Sequence, residues 1–200
     1  MTSTSHTLDK ELVTVEAVRS SGGTTWRVDA FTLMWVKAEK QLSRLFCFLV
    51  FRSPAVSHAN REDYVSIIVT NPKLSFDSLI KCFDALSPTS LKTIVGSEYD
   101  EFREHIERMR KYRNKLLHGQ FTGQKIKSKQ LEEDIGVLRR WVETLACSCA
   151  CAIGYDGIGR DTFPKAKHPS VQSMQQYPFS DAAEFKRWLA CQTKQAKQKT

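Results

Sequence analysis

Arg113, Asn114 and His118 stand in the order Arg-Asn-x-x-x-His within RMRKYRNKLLHGQ, residues 108–120. Arginine is a permanent cation and imidazole titrates near neutrality, so these are residue types suited to anion binding and proton transfer. Thirteen Arg and five His in 200 residues give an Arg-x4-His about 0.3 times by chance. Requiring Asn directly after the arginine, with three Asn in the chain, lowers the expectation to roughly 0.005. Basic residues followed by Gly119 are also what the end of an ordinary surface helix carries, so the elements around the trio decide how it is read.

The third of the strong helices, expected over about 97–117, places the trio in its last two turns. Phe102, Ile106, Met109, Leu116 and Leu117 form its apolar stripe, and Gly119 supplies the stop. At 100° per residue from Phe102, Arg113 falls near 20°, on the stripe itself, while Asn114 and His118 fall at about 120° and 160°. An unpaired buried guanidinium is costly, so Arg113 should line a polar seam or a subunit interface. Asn114 and His118 are i, i+4 neighbours that can meet directly, and Arg113 reaches them through its long side chain or from a second subunit.

The charge around the trio is one-sided. Residues 108–129 hold eight Lys or Arg and no acid, whereas EYDEFREHIE before them holds five acids. The helix macrodipole accounts for that gradient within the helix. It does not account for Lys125, Lys127 and Lys129 in the following loop, which extend the positive surface and make a phosphate-binding face one of two readings, a solvated loop being the other. The candidate anion contacts are Arg108, Arg110, Lys111, Lys115, Lys125, Lys127 and Lys129. The whole chain carries a net charge of +8 with pI near 9.2, which favours an anionic partner without specifying one.

Other elements must position this end. Phe31, Met34, Trp35, Ala38, Leu42, Leu45, Phe46 and Leu49 keep a helical period and predict a long core-facing helix over 29–51. SFDSLIKCFDAL, 75–86, reads as a shorter helix with Ser75 as N-cap and Pro88 beyond its end. Leu131, Ile135, Leu138, Val142, Leu145, Cys149 and Ala152 mark a fourth helix that stops near Gly154. Residues 155–179 show no periodicity, and Ser180 is placed to cap a last helix burying Phe185, Trp188 and Leu189. LVTVEAV, 12–18, is either a strand or a short helix. The expectation is an all-α, antiparallel helical bundle of about five helices. Its organisation is an N-terminal segment over 1–25, a bundle over 26–155, then an irregular connection, C-terminal helix and basic tail over 156–200.

Several further candidates have simpler readings. CSCAC, 147–151, spaces its cysteines i, i+2, i+4 within a periodic helix, which suits core packing rather than a tetrahedral metal site. DGIGR, 156–160, follows a helix and precedes none, so it reads as a turn rather than a phosphate loop. His6, His58 and His168 lie in polar segments, and His105, beside Glu101 and Glu104, reads as an exposed surface residue. Glu39 lies mid-helix beside the apolar stripe; solvation on the flank is the expectation and a neighbouring polar site the alternative. No secretory signal or membrane-spanning apolar run is apparent, so the expectation is a cytoplasmic protein with reduced thiols, no membrane association, no metal and no cofactor.

Arg113-Asn114-x-x-x-His118 between long helices resembles the HEPN superfamily, small α-helical bundles marked by R-x4-6-H with a polar residue usually after the arginine. The resemblance covers roughly residues 26–155, and only the motif is specific. It implies a metal-independent endoribonuclease, typically a homodimer whose two motifs face one groove, of the kind acting in toxin–antitoxin, abortive-infection or antiviral systems. On that resemblance His118 is general base toward the ribose 2′-hydroxyl or acid toward the leaving oxygen, Arg113 holds the scissile phosphate, and Asn114 orients His118 or the phosphate. Attack by the 2′-hydroxyl restricts cutting to RNA and leaves a 2′,3′-cyclic phosphate. HEPN toxins paired with a minimal nucleotidyltransferase commonly carry x-Tyr after the histidine; here Gly119 and Gln120 follow, which argues against control by that modification but leaves room for another antitoxin. The alternative is a non-catalytic module of the same fold that binds a nucleotide, an RNA or a protein, with the motif kept as an interfacial hydrogen-bond network. Simple nucleic-acid binding through the basic face is a third reading.

Overall fold

Helix α2, Trp26–Val50, is the central element of the packing. Its buried positions run Ala30, Phe31, Met34, Trp35, Ala38, Gln41, Leu42, Leu45, Phe46, Phe48, Leu49 and Val50, a stripe too wide for one partner. A computed structural model of the chain describes residues 2–117, 126–159 and 177–195, with side chains over 8–116, 126–159 and 177–194. The other helices are α1 (Thr2–Ser20), α3 (Arg61–Val69), α4 (Phe76–Leu86), α5 (Leu91–Val95), α6 (Tyr99–Leu117), α7 (Ser128–Ile153) and α8 (Ala182–Gln195); α1, α4, α6 and α7 pack along α2, while α3 lies against α8 and α5 against α7 and α4. The class is all-α, with more helices than the five expected and no strand among the described residues. The buried apolar residues of these helices form one connected core.

The segment over 12–18 resolves as part of α1. Leu8, Leu12 and Val15 are buried at helical spacing while Val13 is 59% exposed. Its V-x-V alternation is therefore incidental, because the face that packs on α2 is set by positions i, i+4 and i+7. Helix α3 escapes notice in the sequence because it buries only Tyr64 and Ile68, a single i, i+4 pair. Helix α5 is a five-residue turn capped by the Ser90 side chain, which accepts from the Thr93 amide. Gly96, at φ 79°, breaks it, and a short 3-10 turn over Gly96–Glu98 leads into α6 two residues later than the pattern suggests.

Two expected helix ends hold and a third is exchanged, while Gly119, the expected stop of α6, lies outside the described residues. Ser75 and Ser78 form a reciprocal capping box at the start of α4. Gly154 ends α7 in the left-handed conformation. At α8 the cap is Asp181, whose carboxylate accepts from the Glu184 amide at 2.8 Å. Ser180 instead donates to the Glu184 carboxylate through its amide and hydroxyl, at 2.9 and 2.6 Å. A carboxylate one residue later is the better acceptor for the first-turn amides.

Helices α1 and α2, and likewise α6 and α7, run antiparallel: Glu11 of α1 meets Lys37 and Lys40 of α2, and α6 pairs Phe102 with Trp141 and Tyr112 with Asp134 of α7. Helices α2 and α7 run in the same direction, since Arg27 pairs with Glu132 near their starts and Gln41 donates to the Val142 carbonyl farther along. No short connection joins these two, so nothing forces the antiparallel sense on them. Beyond α7, residues 156–159 of DGIGR form a turn, and Arg160 lies outside the described residues. Gln41 Nε2 donates to the Asp156 carbonyl at 3.0 Å and Arg44 Nη1 to the Ile158 carbonyl at 2.8 Å, which straps the turn onto α2.

Candidate functional site at the end of helix α6

The buried stripe of α6 runs Phe102, Ile106, Met109 and Tyr112, each no more than 2% exposed. Tyr112, rather than Arg113, continues the stripe, because a step of three from Met109 stays centred on α7 and α2. Its ring lies 5.6 Å from that of Phe31. Arg113 is thereby displaced to the flank, with its side chain 22% exposed. The polar seam expected of it lies between α6 and α2: Nη2 donates to Glu39 Oε2 at 2.6 Å, and the guanidinium carbon sits 5.3 Å from the centroid of Trp35. Glu39 is thus not simply solvated on its flank. It takes the neighbouring polar site, with its own side chain 25% exposed.

Arg113 Nη1 donates to Asn114 Oδ1 at 2.7 Å. The long arginine side chain therefore joins its neighbour within one chain. With Oδ1 occupied, the exposed amide presents its Nδ2 donors to the surroundings. Glu39, Arg113 and Asn114 form a line from carboxylate to cation to amide across the end of α6. A cation held this way is fixed in direction and partly neutralised by Glu39. His118 lies outside the described residues, as does Lys125.

The remaining cations of α6 are distributed between core and solvent. Arg108 donates to Asp134, whose carboxylate is fully buried and also accepts from the Tyr112 hydroxyl. Burial, then the hydrogen bond and charge of Asp134, push the Tyr112 phenol well above its ordinary value. Arg110 pairs with Asp77 of α4 and with Glu107, and Arg103 reaches the same Asp77 at 2.6 Å. Arg108 and Arg110 thus serve the packing of α6 against α7 and α4. Lys111 is exposed beside them, and Lys115 lies one turn farther on. Lys127 is exposed at the N-cap of α7, and Lys129, 87% exposed, lies 3.8 Å from Glu133.

Three partners of this end were hidden in the sequence to different degrees. Asp134 falls three residues after Leu131 on the apolar stripe of α7, which is a readable sign of a buried carboxylate needing a donor. Asp77, in the first turn of α4, looks like an ordinary macrodipole residue. Glu39 is marked only by its place beside the stripe.

The other candidates are settled more simply. Of the CSCAC cysteines only Cys149 is in the core; Cys147 and Cys151 are exposed. His105 is half-buried rather than exposed, 4.0 Å from Glu101, which Arg140 of α7 also approaches at 3.6 Å. His58 is exposed, and His6 and His168 lie outside the residues whose side chains are described. No group of three or more metal-ligating side chains occurs among the described residues, and no helix there is long and apolar enough to cross a membrane. Comparison with family models, curated proteins and solved structures found no match to this chain.

Proposed function

We propose that the chain is a metal-independent endoribonuclease of the HEPN type, with Arg113, Asn114 and His118 as its catalytic residues. The observation that carries this reading is the line Glu39–Arg113–Asn114 at the end of α6, one turn before His118 in sequence. Arg113 would bind a non-bridging oxygen of the scissile phosphate and offset the charge that grows there. Asn114, its oxygen held by Arg113, would turn its amide donors toward the phosphate or the imidazole. His118 would take the proton of the ribose 2′-hydroxyl or protonate the departing 5′-oxygen. The bond formed is 2′-oxygen to phosphorus and the bond broken is phosphorus to 5′-oxygen, which leaves a 2′,3′-cyclic phosphate.

Lys111, Lys115, Lys127 and Lys129 would steer the RNA backbone toward this end. Arg108 and Arg110, already paired with carboxylates, would act there mainly by fixing α6. A homodimer bringing two such ends to one groove, and a role as a toxin or antiviral effector held in check by an antitoxin, complete the proposal. The test supplies matched oligonucleotides that are all-ribose, or 2′-deoxy at every position. Cleavage of the first alone, with cyclic phosphate ends, supports the reading; cleavage of both overturns it.

A second reading is favoured by the same salt bridge. A guanidinium already paired with Glu39 also suits a non-catalytic module of this fold that binds nucleotide, RNA or a protein partner. RNA binding without cleavage, unchanged by His118→Ala, would favour it.

A further inference from the structure

The three cysteines of CSCAC do not share a face. At 100° per residue Cys149 lies about 200° round the helix from Cys147, whereas Cys151 lies only about 40° from it. The structure follows this division: Cys149 is buried among the core residues, and Cys147 and Cys151 are exposed one turn apart. Both line an open groove between the C-terminal half of α7 and the segment entering α5, together with Thr89, Thr93, Ser148 and Ala152. None of the residues lining this groove is charged.

Two thiols at i, i+4 have Cβ atoms about 6 Å apart, whereas a disulfide needs about 3.8 Å. The intact helix therefore keeps them from joining each other while letting one larger atom bridge them. Zinc would demand four good ligands, and no third cysteine, histidine or carboxylate joins this pair among the described residues. A soft monovalent cation prefers thiolate sulfur and is satisfied by few ligands.

We propose that Cys147 and Cys151 form a two-thiolate site for a soft monovalent cation of the Cu(I) class. Each thiol gives up its proton to solvent as its sulfur binds the metal, and no oxidant or reductant is required because copper enters already as Cu(I). Two thiolates and one Cu(I) leave a net charge of −1, which the open groove exposes to solvent. The site is independent of the ribonuclease reading.

The test titrates the reduced full-length chain with Cu(I) without oxygen against a chromophoric chelator. Wild type and Cys191→Ser, which removes an exposed thiol on another helix, should each withhold one equivalent of copper. Cys147→Ser and Cys151→Ser should each weaken that binding by about tenfold or more. Equal binding by all four proteins, or equal losses from all three substitutions, overturns the proposal. X-ray absorption on the loaded wild type supplies a readout that needs no variant: two sulfur neighbours around copper are expected, and nitrogen or oxygen neighbours alone would contradict it.

Discussion

Arg113 is a cation whose direction is set by two contacts, and both can be altered without emptying the site. Glu39→Gln keeps the shape but removes the charge that holds Nη2. If the guanidinium must point at a phosphate, misdirecting it lowers cleavage by ~10-fold or more while the helical signal is unchanged. A cleavage rate equal to wild type would show that Glu39 does not position Arg113. Gly157 makes a different demand. Its φ is 74°, and a Cβ placed there would come within 2.8 Å of Gln41 Cγ and 3.0 Å of the Gln41 carbonyl oxygen. Gly157→Ala is expected to cost ~2 kcal/mol in urea denaturation, combining left-handed strain with the displaced strap. At this scale the sequence was informative but incomplete. The spacing of Arg113 and Asn114 pointed to a polar seam, yet which carboxylate closes it depends on how α2 and α6 cross. That crossing is a tertiary fact that the sequence spacing of Glu39 does not carry.

Among the elements, α6 is pinned on both sides by carboxylates from its neighbours, Asp134 of α7 and Asp77 of α4. Tyr112→Phe removes one donor from the buried Asp134 carboxylate and should lower stability by ~1–2 kcal/mol, read as a shift in denaturation midpoint. An unchanged midpoint would mean that Arg108 alone satisfies that carboxylate. The long helices were legible because each buries a stripe through several turns. Helices α3 and α5 were not, since a pair of buried residues or a single turn leaves no period to detect. Segment 12–18 stayed open between strand and helix for the opposite reason: valines at alternate positions satisfy a strand pattern, and only packing on α2 decides that Val13 faces solvent. The relative direction of α2 and α7 likewise follows from contacts between elements distant in sequence.

For the molecule as a whole, burial holds several weak acids in their neutral form. The Cys47 thiol is pushed from its ordinary 9.0 up to about 11, and that of Cys82 up to about 12, in each case by burial. Above pH ~9 the unfolded chain loses these protons before the folded one does, so the folded state binds more protons and stability falls as pH rises. The denaturation midpoint should be steady near neutrality and decline from about pH 9 to about pH 11, where the buried Cys47 thiol itself titrates. A flat profile across that range would contradict the burial of these thiols. The net charge of +8 is also a property of the whole chain, and on the proposed ribonuclease reading RNA binding should weaken steeply with added salt. The most direct measurement follows single-turnover cleavage of a labelled single-stranded RNA in excess EDTA by the wild type, Arg113→Ala and His118→Ala, each checked for native helicity. Cleavage by the wild type alone is the predicted result. Equal cleavage by all three proteins, or none by a dimeric wild type freed of any bound antitoxin, would contradict the assignment of Arg113, Asn114 and His118 as a catalytic site.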